Sequence, residues 1–348
     1  MSARPRLSVG RRVLLALIVV VTLVVGAASP AAAHGGAVAS TDYRARITAV
    51  SPRIDGVEIR LIEAAGRVEL ANRTSADVVV LGYEDEPYLR IGPRGVFENR
   101  RSPAVYLNAT RSGGEPAPAD ATADAEPRWV RIADEPVARW HDHRLHWMTS
   151  DPEEVRTQPG RRHRVAEWEL PVRLDQRELT VRGEIVYVPG PPVWPWLAGA
   201  VVLAGVVFVV VRHRLLAAAV ALLGAADVVR VAGLTFVVVG DAGERFQQAV
   251  DVGTLSFVGW GLGVVAVARL RGGHDDGPVA AGLAGMLLAV AGGVLEWGDL
   301  GRSQLAFALA GDVLRACVAA ISGVGVGVTA AVLVRATQVR RAATPAGR

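Results

Sequence analysis

Long apolar runs dominate the second half of the chain, and this feature constrains the fold more than any other. Residues 191–337 consist mainly of Ala, Val, Leu and Gly. An apolar run of about 20 residues is long enough to cross the hydrocarbon core of a bilayer as a helix. The runs predict helices near 195–212, 215–239, 249–269, 278–297 and 305–334. The sequence therefore predicts an integral membrane protein with an α-helical bundle of about five helices.

The charges between these runs predict the orientation of the bundle. Arginine-rich ends alternate with acidic loops in the order Arg212–Arg214, Gly240–Glu244, Arg269–Arg271, Trp297–Leu300 and Arg335 onward. Arginine-rich loops remain on the cytoplasmic side of a membrane. We therefore expect a plasma-membrane protein with an extracytoplasmic N-terminal domain and a cytoplasmic tail at residues 338–348.

The first 33 residues have the parts of an export signal. Several arginines precede the apolar run Val13–Val25, and Ala31–Ala33 is a small-residue cleavage site. Residues 1–33 are predicted to be a signal peptide; the alternative is an uncleaved signal anchor. Cleavage after Ala33 makes His34 the new N-terminus. The α-amine and the ring Nδ1 of such a histidine can chelate one metal ion, and these nitrogen donors suit Cu(II).

Residues 34–190 are charged and rich in turns. Short alternating runs such as Arg44–Val50 and Thr180–Val188 are separated by turn signals such as Asp55-Gly56. Many short strands without a helical stretch predict an all-β antiparallel sandwich, Ig-like or CopC-like in type. The single cysteine, Cys317, lies in an apolar run, which excludes a disulfide or a thiolate metal site within residues 34–190.

The segment Arg139–Met148 contains three histidines. On a regular strand, His141 and His143 point to the same face and form a two-ligand platform for zinc or copper. Together with His34 they would give a site of three or four nitrogen donors. His141, His143 and His34 are therefore the predicted metal ligands.

Asp142 and His146 have the opposite parity on that strand. Asp142 would orient a ligand only if the strand is bulged, and His146 would join only through a bend. The alternative for the whole segment is a structural polar cluster in which the histidines stack between Trp140 and Trp147.

Three segments carry a resemblance to known proteins. They are Gly82-Tyr-Glu-Asp-Glu-Pro-Tyr-Leu, Arg101-Ser-Pro-Ala-Val-Tyr-Leu-Asn and Trp140-His-Asp-His-Arg-Leu-His-Trp-Met. They resemble a group of exported actinobacterial membrane proteins with the same layout, for which no activity is established. His34 resembles the mature N-terminus of CopC-type copper proteins, and the domain-plus-bundle layout is similar to CopD-type copper importers. These resemblances imply copper. CopC proteins pair the N-terminal histidine with Asp-x-His, whereas this chain has His-Asp-His.

Two of the apolar runs contain an Asp-x-x-Arg pattern, Asp227/Arg230 and Asp312/Arg315. Residues three apart share a helix face, so each pair can neutralise itself. Glu296 and Asp299 lie near the outer end of the fourth predicted helix. Ionisable residues inside a membrane are costly and often functional, and these acidic groups could receive a cation. The alternative is a set of interhelical ion pairs that only stabilises the bundle.

Composition excludes some functions. The pI is about 9.8, yet all 38 basic residues are arginine and no basic stripe interleaved with aromatic residues is present, which argues against nucleic acid as a partner. No catalytic motif is found, and Glu84–Glu86 is expected to be a solvated turn.

The leading hypothesis is a membrane-anchored extracytoplasmic copper-binding protein for capture or delivery, with the lipid bilayer and a metal ion as partners. The alternatives are a metal-free envelope protein that binds a protein partner, and ion transport through the charged helices.

Overall fold

A computed structural model describes residues 40–109, 116–211 and 213–343, with side chains omitted at 213–214 and 340–343. The predicted signal peptide and His34 lie outside the described residues. The described chain divides into two compact units. One contains residues 40–190 together with Arg302–Ala306 and is rich in strands, and the other contains Pro191–Gly301 and residues 307–343 and is helical.

The strand-rich unit is built from antiparallel pairs. Its strands are β1 (Tyr43–Ser51), β2 (Val57–Ile62), β3 (Arg67–Asn72), β4 (Val78–Leu81), β5 (Pro87–Gly92), β6 (Gly95–Asn99), β7 (Trp129–Ala133), β8 (Val137–Trp140), β9 (His163–Leu174) and β10 (Arg177–Tyr187). One sheet has seven strands in the order β1-β10-β9-β4-β5-β6-β7, and the other has three in the order β2-β3-β8. The prediction of an antiparallel β domain is therefore confirmed.

One hydrophobic core takes side chains from both sheets. Leu70 on β3 packs in the same cluster as Val80, Ile91, Leu170 and Val181 from the seven-stranded sheet. On β9 the buried residues alternate with exposed ones, because successive side chains of a strand point to opposite faces. Burying an aliphatic side chain of this size stabilises a fold by about 1.5–3 kcal/mol.

On the three-stranded sheet, Glu69 of β3 accepts hydrogen bonds from two flanking strands. Arg60 Nε donates to Glu69 Oε1 at 2.6 Å, and Arg139 Nε donates to Oε2 at 2.7 Å. Burial alone would raise the pKa of Glu69, but these two arginines outweigh it and the pKa lies below its ordinary value. The ionised carboxylate thus ties β2 and β8 to β3.

Short elements complete this unit. The helices α1 (Pro103–Leu107) and α2 (Glu153–Thr157) and a 3₁₀ turn at His143–Leu145 lie between strands. The segment Arg302–Ala306 also belongs here, because Gln304 N donates to Thr41 O at 3.0 Å and Thr41 N donates to Gln304 O at 2.9 Å in an antiparallel bridge. Asp42 accepts from the Ser303 amide at 2.7 Å and pairs with Arg302 at 2.9 Å. No sequence pattern had indicated this addition.

The helical unit begins at Trp194. Its helices are α3 (Trp194–Val210), α4 (His213–Phe236), α5 (Ala242–Arg271), α6 (Gly277–Leu288), α7 (Trp297–Leu300) and α8 (Gly311–Ala343). A π turn at Ala289–Gly293 and a 3₁₀ turn at Val294–Glu296 connect α6 to α7. Each predicted helix has a counterpart. The last one starts at Gly311 instead of residue 305, and the fourth is interrupted by the π turn.

Four helical segments in the described residues are long and apolar enough to cross a membrane: Leu215–Phe236, Ala242–Arg271, Gly277–Leu300 and Gly311–Val339. The helix Trp194–Val210 is apolar but shorter. Large apolar side chains such as Val201, Val209 and Val264 are more than 70 % exposed on these helices. Soluble proteins rarely expose contiguous apolar surface of this kind. The helical unit therefore has the surface of a protein that lies in a lipid bilayer.

Glycines allow two of these helices to approach closely. A Cβ added at Gly325 of α8 would lie 2.5 Å from the Gly285 carbonyl oxygen of α6. Small residues at such crossings are typical of helix packing in membranes, where close backbone contact replaces the hydrophobic driving force.

Candidate functional site

The three segments that carry the sequence resemblance meet in the strand-rich unit. Tyr83 follows β4, Asn108 is the C-cap of α1, and Asp142 precedes the 3₁₀ turn. The Tyr83 hydroxyl donates to Asn108 Oδ1 at 2.5 Å and accepts from the His143 backbone amide at 2.9 Å. The tyrosine thus joins residues that are 25 and 60 positions away in the sequence.

Asp142 is the most tightly held residue of this cluster and is only 1 % exposed. Its carboxylate accepts from Arg144 Nε at 2.8 Å, from Arg144 Nη2 at 2.7 Å and from Trp140 Nε1 at 3.1 Å. The Arg144 guanidinium also lies 4.8 Å from the centre of the Tyr83 ring. Asp142 therefore forms a buried ion pair with Arg144.

A strand over 139–148, the condition under which His141 and His143 would share a face, does not form. Strand β8 ends at Trp140, and His143–Leu145 is a 3₁₀ turn. The Asp142 side chain accepts from the Arg144 backbone amide at 3.1 Å and so caps this turn. Aspartate competes in this way with strand hydrogen bonding, because its short side chain reaches the backbone two residues ahead.

The turn brings His141 and His146 to one carbonyl group. His141 Nδ1 lies 2.9 Å from Gly66 O, and His146 Nε2 lies 3.2 Å from the same oxygen. A carbonyl oxygen only accepts, so each of these ring nitrogens carries the proton that it donates. The structure thus pairs His141 with His146, while the backbone of His143 is bound to Tyr83.

The Gly66 carbonyl belongs to a strained turn between β2 and β3. Glu63, Ala64 and Ala65 have φ angles of 57°, 55° and 64°, in the left-handed region. This conformation costs roughly 1–2 kcal/mol for each non-glycine residue. Arg67 Nε donates to Glu63 Oε2 at 2.7 Å, and this buried ion pair closes the turn. Strain of this kind concentrates at functional sites.

Tyr83 and Glu86 are held in the surrounding polar network. Burial raises the pKa of Tyr83, and the neighbouring Asp142 charge adds to the effect. Glu86 is buried, where a solvated turn had been expected. Its carboxylate accepts from Ser102 Oγ at 2.7 Å and from the Glu84 amide at 3.0 Å, so it anchors the start of α1.

The arrangement of possible metal ligands is as follows among the residues that the structure describes. Within residues 40–109, 116–211 and 213–343, no group of three or more His, Cys, Asp or Glu side chains is placed to hold a metal ion. His141 and His146 are a pair, and His34, the third predicted ligand, lies outside the described residues.

The helical unit holds a second polar cluster, centred on Arg230 of α4, which is 1 % exposed. Arg230 Nε donates to Asp227 Oδ1 at 2.8 Å, and Nη1 donates to Glu296 Oε1 at 2.9 Å. Nη2 donates to Ser256 Oγ of α5 at 2.8 Å. The indole of Trp260, also on α5, donates to Asp227 Oδ2 at 3.0 Å. We call these five residues the Arg230 cluster.

The π turn after α6 gives the Arg230 cluster its space. A Cβ added at Gly292 would lie 2.2 Å from Asp227 Oδ1 and 2.8 Å from Arg230 Nε. Only glycine leaves room for the ion pair at this point. π turns inside helices are frequent at functional sites.

The other predicted pair has a different environment. Arg315 Nη1 donates to Asp312 Oδ1 at 2.9 Å, but the Asp312 side chain is 79 % exposed. Arg315 Nε donates to the Leu300 carbonyl at 3.0 Å. Asp299 lies in α7 and is half-buried.

Sequence reasoning identified Asp227, Arg230 and Glu296 but missed Ser256 and Trp260. Both lie on α5, and a single serine or tryptophan in an apolar helix does not by itself indicate a buried polar contact. Their role depends on the packing of α5 against α4, which a single sequence does not specify.

Comparison of the chain with protein-family models, with curated protein sequences and with solved structures finds no match.

Proposed function

We propose that this chain is a membrane-anchored extracytoplasmic protein that binds copper at His34, His141 and His146, for capture or delivery of the ion. In this proposal the signal peptide is removed after Ala33, and the two sheets form a closed sandwich outside the plasma membrane. The C-terminus is cytoplasmic, in line with the arginine-rich helix ends.

The observation that carries the proposal is the shared contact of His141 and His146 with Gly66 O. A histidine that ligates a metal commonly donates its other ring N–H to a backbone carbonyl, which fixes its tautomer and orientation. In the tautomers required here the lone pairs lie on His141 Nε2 and His146 Nδ1. The strained turn at Glu63–Ala65 holds the accepting carbonyl in place.

The ligand set differs in one position from the sequence-based prediction. His146 takes the place expected for His143, because the 3₁₀ turn places it on Gly66 O. In this proposal Asp142 has a structural role, since it forms an ion pair with Arg144. The N-terminal amine and ring of His34 supply the remaining nitrogen donors that Cu(II) prefers.

The test is a Cu(II) titration of the purified mature protein, after N-terminal sequencing shows that His34 is its first residue. His141→Ala and His146→Ala should each weaken Cu(II) binding at least about ten-fold, as loss of groups that hold a metal site does. One residue inserted before His34 should weaken it as well, because the terminal chelate is lost.

His163→Ala is the matched control. His163 lies on β9, and its Nε2 bonds to the Gln158 carbonyl at 2.9 Å, away from Gly66. Its replacement should leave Cu(II) affinity unchanged. Equal affinity of the mature protein and all four variants, or no Cu(II) binding by the mature protein, would reject the copper site.

A second function, ion passage through the helices, is favoured by the Arg230 cluster. Arg230 and Asp227 are almost fully buried, and their partners come from α5 and from the turn after α6. Buried carboxylate and guanidinium groups at membrane depth mark ion or proton pathways in many transporters. The partly exposed Glu296, with 21 % of its side chain accessible, would connect Arg230 to the surface.

Reconstituted vesicles test this second function. Proton flux with a pH-sensitive dye enclosed should be present for the unmodified protein and lost for Asp227→Asn. Asp312→Asn, which changes an exposed carboxylate in the other pair, should retain flux. Equal flux in vesicles with and without the protein would assign the Arg230 cluster to bundle stability alone.

A further inference from the structure

A groove of about 580 Å³ lies on the apolar surface between α4 and α5. It is concave because glycines replace side chains along both helices. The wall includes Gly224 on α4 and Gly259, Gly263 and Val267 on α5, with Trp260 near one end and Arg271 at the other.

The length of the groove matches one leaflet of a bilayer. Gly259 and Arg271 are twelve positions apart on α5, which corresponds to about 18 Å at a rise of about 1.5 Å per residue. Half of a hydrocarbon core of about 30 Å is about 15 Å. The groove, which reaches the end of α5, is therefore about as long as the acyl-chain region of one leaflet.

The width of the groove suits an extended hydrocarbon chain. The empty space in and directly above the groove is about 1090 Å³, which over a length of about 18 Å gives a channel roughly 8 Å wide. A helix with side chains is about 10 Å across and does not fit into such a channel. A second copy of this chain is thus a poorer occupant than a lipid tail.

The charge at the helix end indicates the head group. Arg269 pairs with Asp276 at 3.3 Å. Arg271, in contrast, lines the groove and has no hydrogen-bond or ion-pair partner in the part of the chain that the structure describes. Its guanidinium can form two parallel hydrogen bonds with a phosphate group. An apolar groove that ends at such an arginine is complementary to an anionic phospholipid.

We propose that this groove binds one anionic phospholipid, with an acyl chain between α4 and α5 and the phosphate on Arg271. The inner end of the acyl chain then lies against Trp260, whose indole donates to Asp227 Oδ2 at 3.0 Å. The bound lipid covers the apolar wall of the Arg230 cluster. This inference does not depend on the copper site or on ion passage.

Photo-crosslinking of the purified full-length protein tests the lipid site. The probes are phosphatidylglycerol and phosphatidylcholine, each with a diazirine in one acyl chain. Label should map to α4 and α5 residues that line the groove, with phosphatidylglycerol favoured. Arg271→Gln should reduce this preference about five-fold, the value of one arginine near an anionic head group.

Gly224→Leu should abolish labelling, because the new side chain fills the groove. A Cβ added at Gly224 has no atom within 4 Å, so the change does not clash within the protein. Gly261→Leu is the matched control, since Gly261 is equally open but does not line the groove. If Gly224→Leu does not fold, Val264→Trp replaces it, because Val264 lines the groove and is 71 % exposed.

Three results would overturn the lipid site. The first is undiminished labelling in the variant that fills the groove, and the second is label spread evenly over the helical surface. The third is a dimer that dissociates in Gly224→Leu but not in Gly261→Leu, which would assign the groove to a second copy of the chain.

Discussion

Replacement of Asp142 by asparagine should destabilise the strand-rich unit strongly. The carboxylate is 1 % exposed and accepts two charged hydrogen bonds from Arg144, at 2.7 and 2.8 Å, and one from the Trp140 indole at 3.1 Å. Asparagine keeps one acceptor oxygen but turns the other position into an N–H₂ group that faces donors. The Arg144 charge then remains partly buried without its partner.

Removal of one member of a buried ion pair costs about 3–5 kcal/mol. For a unit of this size, 1 kcal/mol shifts the melting temperature by about 2–4 °C, so we expect a decrease of roughly 10 °C. The assay is thermal unfolding of the full-length protein with hydrogen exchange read on peptides from β3 and β8. The hydrogen-exchange rates of these peptides report the unfolding of the strand-rich unit independently of the helices.

Asp134→Asn is the matched control for this experiment. Asp134 pairs with Arg131 at 3.0 Å, but 86 % of its side chain is exposed. Exposed pairs contribute about 0–1 kcal/mol, so the melting temperature should hardly change. Equal shifts for Asp142→Asn and Asp134→Asn would refute the role assigned to Asp142. The double change of Asp142 and Arg144 to neutral residues should cost less than the sum of the single changes.

Three further predictions concern other parts of the molecule. Gly292→Ala should lower the stability of the helical unit by a few kcal/mol, because its Cβ would overlap Asp227 Oδ1. Gly298→Ala is the control, since a Cβ at that position has no atom within 4 Å and should leave the stability unchanged. Chemical denaturation in detergent measures both variants. Because the pKa of Glu69 is lowered in the folded protein, its contribution to stability is present above a pH of about 4.3 and is lost as the pH falls below that value. In a series of melting temperatures measured at different pH values, Glu69→Gln should therefore reduce the decrease seen at acid pH. Tyr83 should stay protonated well above the ordinary tyrosine pKa of about 10 in a spectrophotometric titration, and its contribution to stability should be lost as the pH rises beyond that value; normal titration would contradict its burial.

The sequence by itself determined the two kinds of secondary structure and their order. Apolar runs long enough to cross a bilayer predict α4, α5 and α8, and alternation predicts strands such as β1 and β10. Both signals are local, because they depend only on which neighbouring residues are apolar. The Asp-x-x-Arg pairing was predicted for the same reason, since residues three apart on a helix are always neighbours.

The tertiary structure decided which side chains meet across the sequence. Gly66 and His146 are 80 positions apart, and Arg230 and Glu296 are 66 apart. The strand over Arg139–Met148, on which His141 and His143 would share a face, does not form, because Asp142 pairs with Arg144 and caps a turn. That turn is bonded to the Tyr83 hydroxyl and places Leu145 in the hydrophobic core. Distant contacts of this kind depend on the packing of whole strands and helices, and the local pattern of a single chain does not contain that information.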